Sequence, residues 1–384
     1  MHPTPSPRPS AHNFRAILDA VIPRILSRFL PVLLCLICLP CHADDSAASI
    51  AAGGLVPRRE TRIVMAKEVL RISPDKVIVD YDFRNDTDQD ITTEVAFPIP
   101  PYKNEFPEGW IQQQSFQSFR VWVDGKPVKY NVESRATLKG KDVSGILRQN
   151  RIDIRTFGHF VDSSDKNGNA IVRTPDFEKL PKSAKGRLFK MGLFEDRGFA
   201  YSKWTVHLQY HWTQTFPAHS TIHVRHEYEP AIGFQLLSSD SFKAALMPRR
   251  CDNRKLSPKD DSTEDLALLK AFCPSPPFLR AEINGISKQD STSGFYGGAE
   301  WVDFILTSAN TWRRPIEDFT LIVDRGQPRD GYGKPEKGAE YLTSFCSPQG
   351  APIQKLDQDH FQVHLTNFTP KSELHIGFFE TAAK

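Results

Sequence analysis

No apolar run among these 384 residues reaches the roughly 20 that a membrane-spanning helix needs; the block Phe29 to Pro40 is only about a dozen long. That length excludes a span and fits the hydrophobic part of a signal peptide. Arg8, Arg15, Arg24 and Arg28 precede it, and Cys41-His42-Ala43 follows with the small-x-small pattern of a cleavage site, so cleavage between Ala43 and Asp44 is expected, retention as an uncleaved anchor being the alternative. Neither Cys38 nor Cys41 follows the small residues of a lipid-attachment site, which argues against lipidation. A surplus of charge is missing too. Residues 1–43 carry four Arg and one Asp, so of 49 basic and 46 acidic residues 45 of each remain. With no basic patch interleaved with aromatics, the electrostatic footprint of a nucleic-acid binder is lacking. Cysteine is scarce: three of six lie in the leader, leaving Cys251, Cys273 and Cys346. Cys251 and Cys273 bracket a polar loop and a short helix. In an oxidising compartment a bridge of that size contributes roughly 3 kcal/mol, and this is the expected disulfide. Cys346, in the strand-like run Tyr341 to Cys346, reads as a buried thiol.

What is there is alternation. Val77, Val79, Tyr81 and Phe83 share one face of a strand, and the polar turn Asn85 to Asp90 leads into Ile91 to Phe97, which reads as a hairpin. Asp124-Gly125 suits a type I′ turn joining Phe119–Val123 to Lys126–Val132. A longer hairpin is expected over Ser202 to Tyr228. Its inward faces are Trp204, Val206, Leu208, Tyr210 and Trp212, then Ile222, Val224, His226 and Tyr228. Helical spacing over Asp142–Ile152 and Pro181–Met191 marks residues 136–198 as a helical insertion between an N-terminal β part, 44–135, and a C-terminal β part, 199–384. A helix is expected over Glu264–Phe272, and three strand pairs after it: Leu279–Ile286 with Glu300–Thr307, Phe319–Val323 with Tyr341–Phe345, and Phe361–Leu365 with Leu374–Phe379. The fold class is mainly β, one or two antiparallel β-sandwiches with a small helical subdomain.

Chemistry is harder to find. Five histidines, His207, His211, His219, His223 and His226, fall within the long hairpin. Residues four apart on a strand are about 13 Å apart, so His207 and His211 cannot share an ion. His223 approaching one of them would give at most a two-histidine site lacking a third ligand. Asp86 to Asp90 imitates the start of a calcium loop, but Ile91 stands where Gly is needed and Phe97 where a bidentate Glu is needed. The sequence motifs of serine and zinc hydrolases are lacking in a fitting context, as is a phosphate-cradling loop. No catalytic residue, metal ligand or cofactor is assigned. The aromatics, 11% of the chain, read as sandwich core rather than a sugar groove.

Several segments in order resemble one family of exported bacterial proteins, the domain of unknown function 4424 family. They are Ala51-Ala52-Gly53-Gly54-Leu55, Val79 to Asn85 with Val95 to Pro100, Trp212 to Ala218 with His226 to Pro230, Ile305 to Trp312 with Phe319 to Asp324, and Asn367 to Pro370. The resemblance implies export and one shared domain over 44–384; it implies no activity. Lys255–Thr263 and the connector Gln327–Gly338 depart from the family pattern. The expected function is a non-catalytic periplasmic or secreted module that binds or scaffolds an envelope protein or glycan, with no nucleic acid and no stable membrane span after cleavage. The alternative is an envelope hydrolase acting on glycan or peptide through a site built from loops.

Overall fold

The computed structural model describes residues 46–51, 54–103, 118–155, 161–164, 170–173, 175–196, 200–247, 261–293, 297–328 and 339–381. Ala43 and Asp44, the expected cleavage site, lie outside them.

The chain begins with β1 (Ser46–Ala51), β2 (Gly54–Pro57), β3 (Ile63–Ile72), β4 (Val77–Asn85) and β5 (Ile91–Lys103). Four shorter strands follow: β6 (Arg120–Val123), β7 (Lys126–Pro127), β8 (Asn131–Leu138) and β9 (Lys141–Asp142). Helix α1 (Ser144–Gln149), the pair β10 (Val161–Ser164) and β11 (Ala170–Arg173), helices α2 (Pro175–Glu178) and α3 (Lys182–Lys190), and the pair β12 (Phe194–Asp196) and β13 (Ala200–Ser202) occupy the stretch read as a helical insertion. The two helices expected there form, among short strands. Then come β14 (Thr205–Phe216), β15 (Ser220–Tyr228), β16 (Ile232–Leu237), α4 (Ser239–Leu246), α5 (Asp261–Ala271) and α6 (Pro276–Ser293). The chain closes with β17 (Gly297–Phe304), β18 (Ile316–Asp324), β19 (Glu340–Phe345), β20 (Gln354–Lys355), β21 (His360–Phe368) and β22 (Leu374–Thr381).

These strands build three large sheets. One has six strands in the order β2-β1-β5-β14-β8-β9, the second eight in the order β20-β21-β18-β3-β4-β15-β6-β7, and the third four in the order β16-β17-β22-β19. Pairing is antiparallel except between β18 and β3. The first two sheets are the layers of a sandwich. Every second residue of β4 is buried, and its Tyr81 and Phe83 share one core with Phe97 of β5 and Tyr210 and Trp212 of β14. Phe119 stacks on Tyr210 at 4.0 Å across the layers. The third sheet lends Val302, Phe304, Ile376 and Phe378 to this core. Its other face carries α4, α5 and α6, packed around Leu237, Phe242, Leu269, Phe272, Leu279 and Phe379.

Two of the expected hairpins are arches instead. β4 pairs with β3 and β15 and β5 with β1 and β14, so the turn after Asn85 carries the chain from one layer to the other. β14 and β15 likewise belong to opposite layers, their buried faces meeting across the core. Alternation tells which face of a strand is apolar, and an apolar face is covered either way. Asn85 locks the crossing. Fully buried, it donates through Nδ2 to the carbonyls of Gln89 (2.8 Å) and Phe216 (2.9 Å) and accepts from Thr87, tying one arch to the next.

The Asp124-Gly125 turn forms as expected, with φ of 48° and 73°. The strand after it is short, because β8 leaves for the other layer. Leu279–Ile286, expected as a strand, is helix: the amide of Phe278 donates to Ser275 Oγ, Pro276 takes the first helical position, and Leu279, Ile283 and Ile286 line one face. The remaining strands form with other partners. β18 lies between β3 and β21, and β22 between β17 and β19.

Candidate functional site

The histidines separate. His207 and His211 stand on the outer face of one layer and His223 on that of the other, so the two-histidine site does not assemble. Each has a structural partner: Thr137 Oγ1 for His207, Glu94 for His211, Asp88 for His219, and Asp82 and Asp80 for His223. Burial holds the His207 imidazole below its ordinary pKa. His226, on the inward face of β15 as expected, is fully buried and ringed by Tyr81, Phe97, Phe119 and Trp212 at 4.7–5.5 Å; its pKa is pushed down to about 3 by burial, so it stays neutral. In the calcium-like turn, Asp86 pairs with Arg84, Arg313 and Arg314, and Asp90 accepts from the amide of Ala218.

The disulfide joins Cys273 to Cys346, not Cys251 to Cys273. Cys251 lies outside the described residues. Cys273 lies two residues past the end of α5, with φ of 49°, and Cys346 follows β19, so the bond staples the helical layer to the sheet beneath it. Sequence spacing favoured the nearer cysteine; 73 residues separate the pair that forms.

Two carboxyl groups of this region are perturbed. Glu300 of β17 accepts from the Tyr341 hydroxyl at 2.6 Å, and burial, offset in part by that bond, keeps its pKa raised. Glu282 of α6 is 5% exposed, and its pKa is pushed up to about 7 by burial. Asp265 of α5 is satisfied, taking hydrogen bonds from Gln235 and Ser241.

The third sheet also ends in a strand, β16, that pairs among the described residues only with β17. Sheet edges are open templates for pairing, and proteins blunt them with charge, proline or brevity. β7 is Lys126-Pro127, β9 Lys141-Asp142, β20 Gln354-Lys355, and β2 ends in Pro57. The edge strand β19 starts at Glu340 and has Arg325 donating to its Tyr341 carbonyl. β16 has none of these devices: its six residues, Ile232-Gly233-Phe234-Gln235-Leu236-Leu237, contain no charge and no proline. Leu236 is 44% exposed. Phe234 lies over Gly298, and the indole of Trp301 lies so close over Gly233 that a Cβ there would sit 1.9 Å from it. Glycines at these two positions let aromatic rings lie flat beside the edge. This strand is not singled out by the sequence expectations, because what distinguishes it is its place at the end of a sheet.

A family model described as Domain of unknown function (DUF4424) matches residues 43–376. No curated protein matches the chain. Among solved structures, the chain is similar to a proposed nutrient binding protein from Legionella pneumophila, at 14% identity and a TM-score of 0.35, over 89% of this chain and 71% of that one.

Proposed function

Since the chain belongs to the DUF4424 family, a membership that brings no activity with it, we propose that it is an exported, non-catalytic module that binds an extended, uncharged segment of another envelope protein along β16. The carrying observation is that edge: six residues without charge or proline, ending the β16-β17-β22-β19 sheet, with Leu236 exposed on it. Strand addition draws affinity from main-chain hydrogen bonds and specificity from alternate side chains, which Phe234 and Leu236 supply on one face. Export is supported by the short apolar leader and by a disulfide, which persists in oxidising compartments. Among the described residues no helix is long and apolar enough to cross a membrane. The proposal takes residues 44–384 as one domain.

Affinity capture from envelope extracts, with mass spectrometry of what is retained, tests this against Leu236→Lys. The expected result is a protein partner held by the wild type and absent from the variant; identical retained sets would remove the edge from the reading. A full-length copy found with cytosolic markers at unprocessed mass would remove export. The hydrolase alternative rests on Glu300, whose raised pKa suits a general acid. Glycan or peptide cleavage by the wild type, lost in Glu300→Gln, would replace binding with catalysis.

A further inference from the structure

A second surface stands apart from that edge. Residues 143–193 hold ten Lys and Arg against five Asp and Glu, in a chain whose charges balance as a whole after its leader, and 179–193 contains five cations and no acid. On the outer face of the eight-stranded layer and near its end, several cations are matched by acids, as in Arg71–Asp80, Lys76–Glu227, Arg84–Glu317 and Arg325–Asp359. On α3 they are not. Lys182, Arg187 and Lys190 are exposed and, among the described residues, none has an acidic partner; Arg187 reaches the Asn150 side-chain oxygen, at 3.2 Å. That contact brings the exposed Arg151 alongside.

The helix is held firmly beneath this face. Ala184 and Leu188 are buried, Phe189 packs on Phe177 and Phe194, and Lys185 is drawn aside over the Phe177 ring, donating to the Glu178 carbonyl. At 100° per residue, Lys182, Gly186, Lys190, Ser183 and Arg187 fall within one 140° arc, so the small residues lie between the cations and leave the face flat. Met191, at the helix end, is 42% exposed.

We propose that α3 and its flank dock the exported protein on an anionic phospholipid surface, independently of the β16 reading. Charge complementarity fixes the sign of the partner. Two lysines and two arginines share this face, and an anionic headgroup field attracts either side chain about equally. An exposed thioether beside the cations gives the apolar contact that interfacial helices add to electrostatic attraction.

Sedimentation of the protein purified after export, with vesicles of phosphatidylglycerol and phosphatidylethanolamine or of phosphatidylcholine alone, decides the matter. Binding is expected only to the anionic vesicles and should weaken steeply with salt. Each cation removed should cut partitioning about fivefold, so the Lys182→Ala, Arg187→Ala, Lys190→Ala triple variant should lose about a hundredfold. Lys182→Arg with Lys190→Arg, which keeps the charge, should bind as the wild type does, a control for folding. Equal binding to phosphatidylcholine, or a triple variant that still binds, would overturn the proposal. So would tighter, variant-sensitive binding to soluble heparin, which would assign the face to an acidic polysaccharide.

Discussion

The sandwich and the helix-covered sheet are both built from alternating strands, yet they treat polar groups differently. On the outer face of the eight-stranded layer nearly every charge has a partner: Asp80 takes Arg71, Arg225 and His223, and Glu227 takes Lys76 and Arg120. Beneath the helices, Glu282 Oε1 is buried and, among the described residues, finds no hydrogen-bond partner. This is also where the disulfide lies. An uncompensated buried polar group costs about 1–3 kcal/mol, so the helical layer starts at a disadvantage that the covalent staple offsets. Among the described residues the sandwich has buried polar atoms without hydrogen bonds as well, including Ser308 Oγ and Thr343 Oγ1, but a far larger apolar core to offset them, so the molecule is expected to open at the helical layer first.

The largest test of that contrast is Cys346→Ser. Closing a loop of 73 residues restricts the unfolded chain by about 4 kcal/mol. Denaturant unfolding should register that loss. Hydrogen exchange should show α4, α5 and α6 opening before β3, β4 and β15. If the strands and helices lose protection together, the two regions are one cooperative unit and the comparison breaks.

Glu282→Gln comes next. Its carboxyl has a raised folded-state pKa, so the native state binds the extra proton between the ordinary value of 4.5 and about 7. Stability therefore falls as pH rises through that window, and the amide removes the penalty. The variant should be more stable by about 3 kcal/mol at pH 8 and equal to wild type near pH 4, measured by urea titration at the two pH values. A gain that is the same at both pH values would mean that charge is not the cause.

Much of this architecture was legible in the residues, and the exceptions share a cause. The inward faces of β4, β14 and β15 and the Asp124-Gly125 turn follow from period-two alternation and turn chemistry, which are local. Sheet membership is not local. Nothing within Val77–Phe97 distinguishes a hairpin from an arch, except that Asn85 is an amide whose four hydrogen bonds reach both crossings. The same limit hid the disulfide, whose partner is brought close by β22 pairing with β19, and the bare edge of β16, which is an edge only once β17 has chosen its neighbours. The cations of α3 were countable in the sequence; their lack of acidic partners was not. Leu279–Ile286 is expected as a strand although the Ser275-Pro276 start that marks its helix is local and available in the sequence.

His226→Phe probes the sandwich side. Because burial lowers its pKa to about 3, the folded protein binds fewer protons than the unfolded one below the ordinary value of 6.5. Stability is thus fully present above pH 6.5 and is lost as pH falls, at about 1.4 kcal/mol per pH unit. Between pH 6.5 and pH 5 the wild type should lose about 2 kcal/mol from this group, and the phenylalanine variant should not. Parallel pH profiles for the two proteins would assign acid sensitivity elsewhere.

The smallest effect expected is that of Asp80→Asn, and its smallness is what sharpens the comparison. Asp80 is 15% exposed and meets three cations, so it looks like a keystone of the outer face. All three partners are at least 39% exposed, however, and ion pairs in that setting give up in hydration and side-chain entropy most of what attraction returns. The amide should cost about 1 kcal/mol at low salt, and the difference should shrink in 1 M NaCl, where screening acts within about 3 Å. A loss that persists at high salt and rivals that of Cys346→Ser would show that the sandwich depends on its charged exterior after all. The helical layer would then not be the weaker of the two.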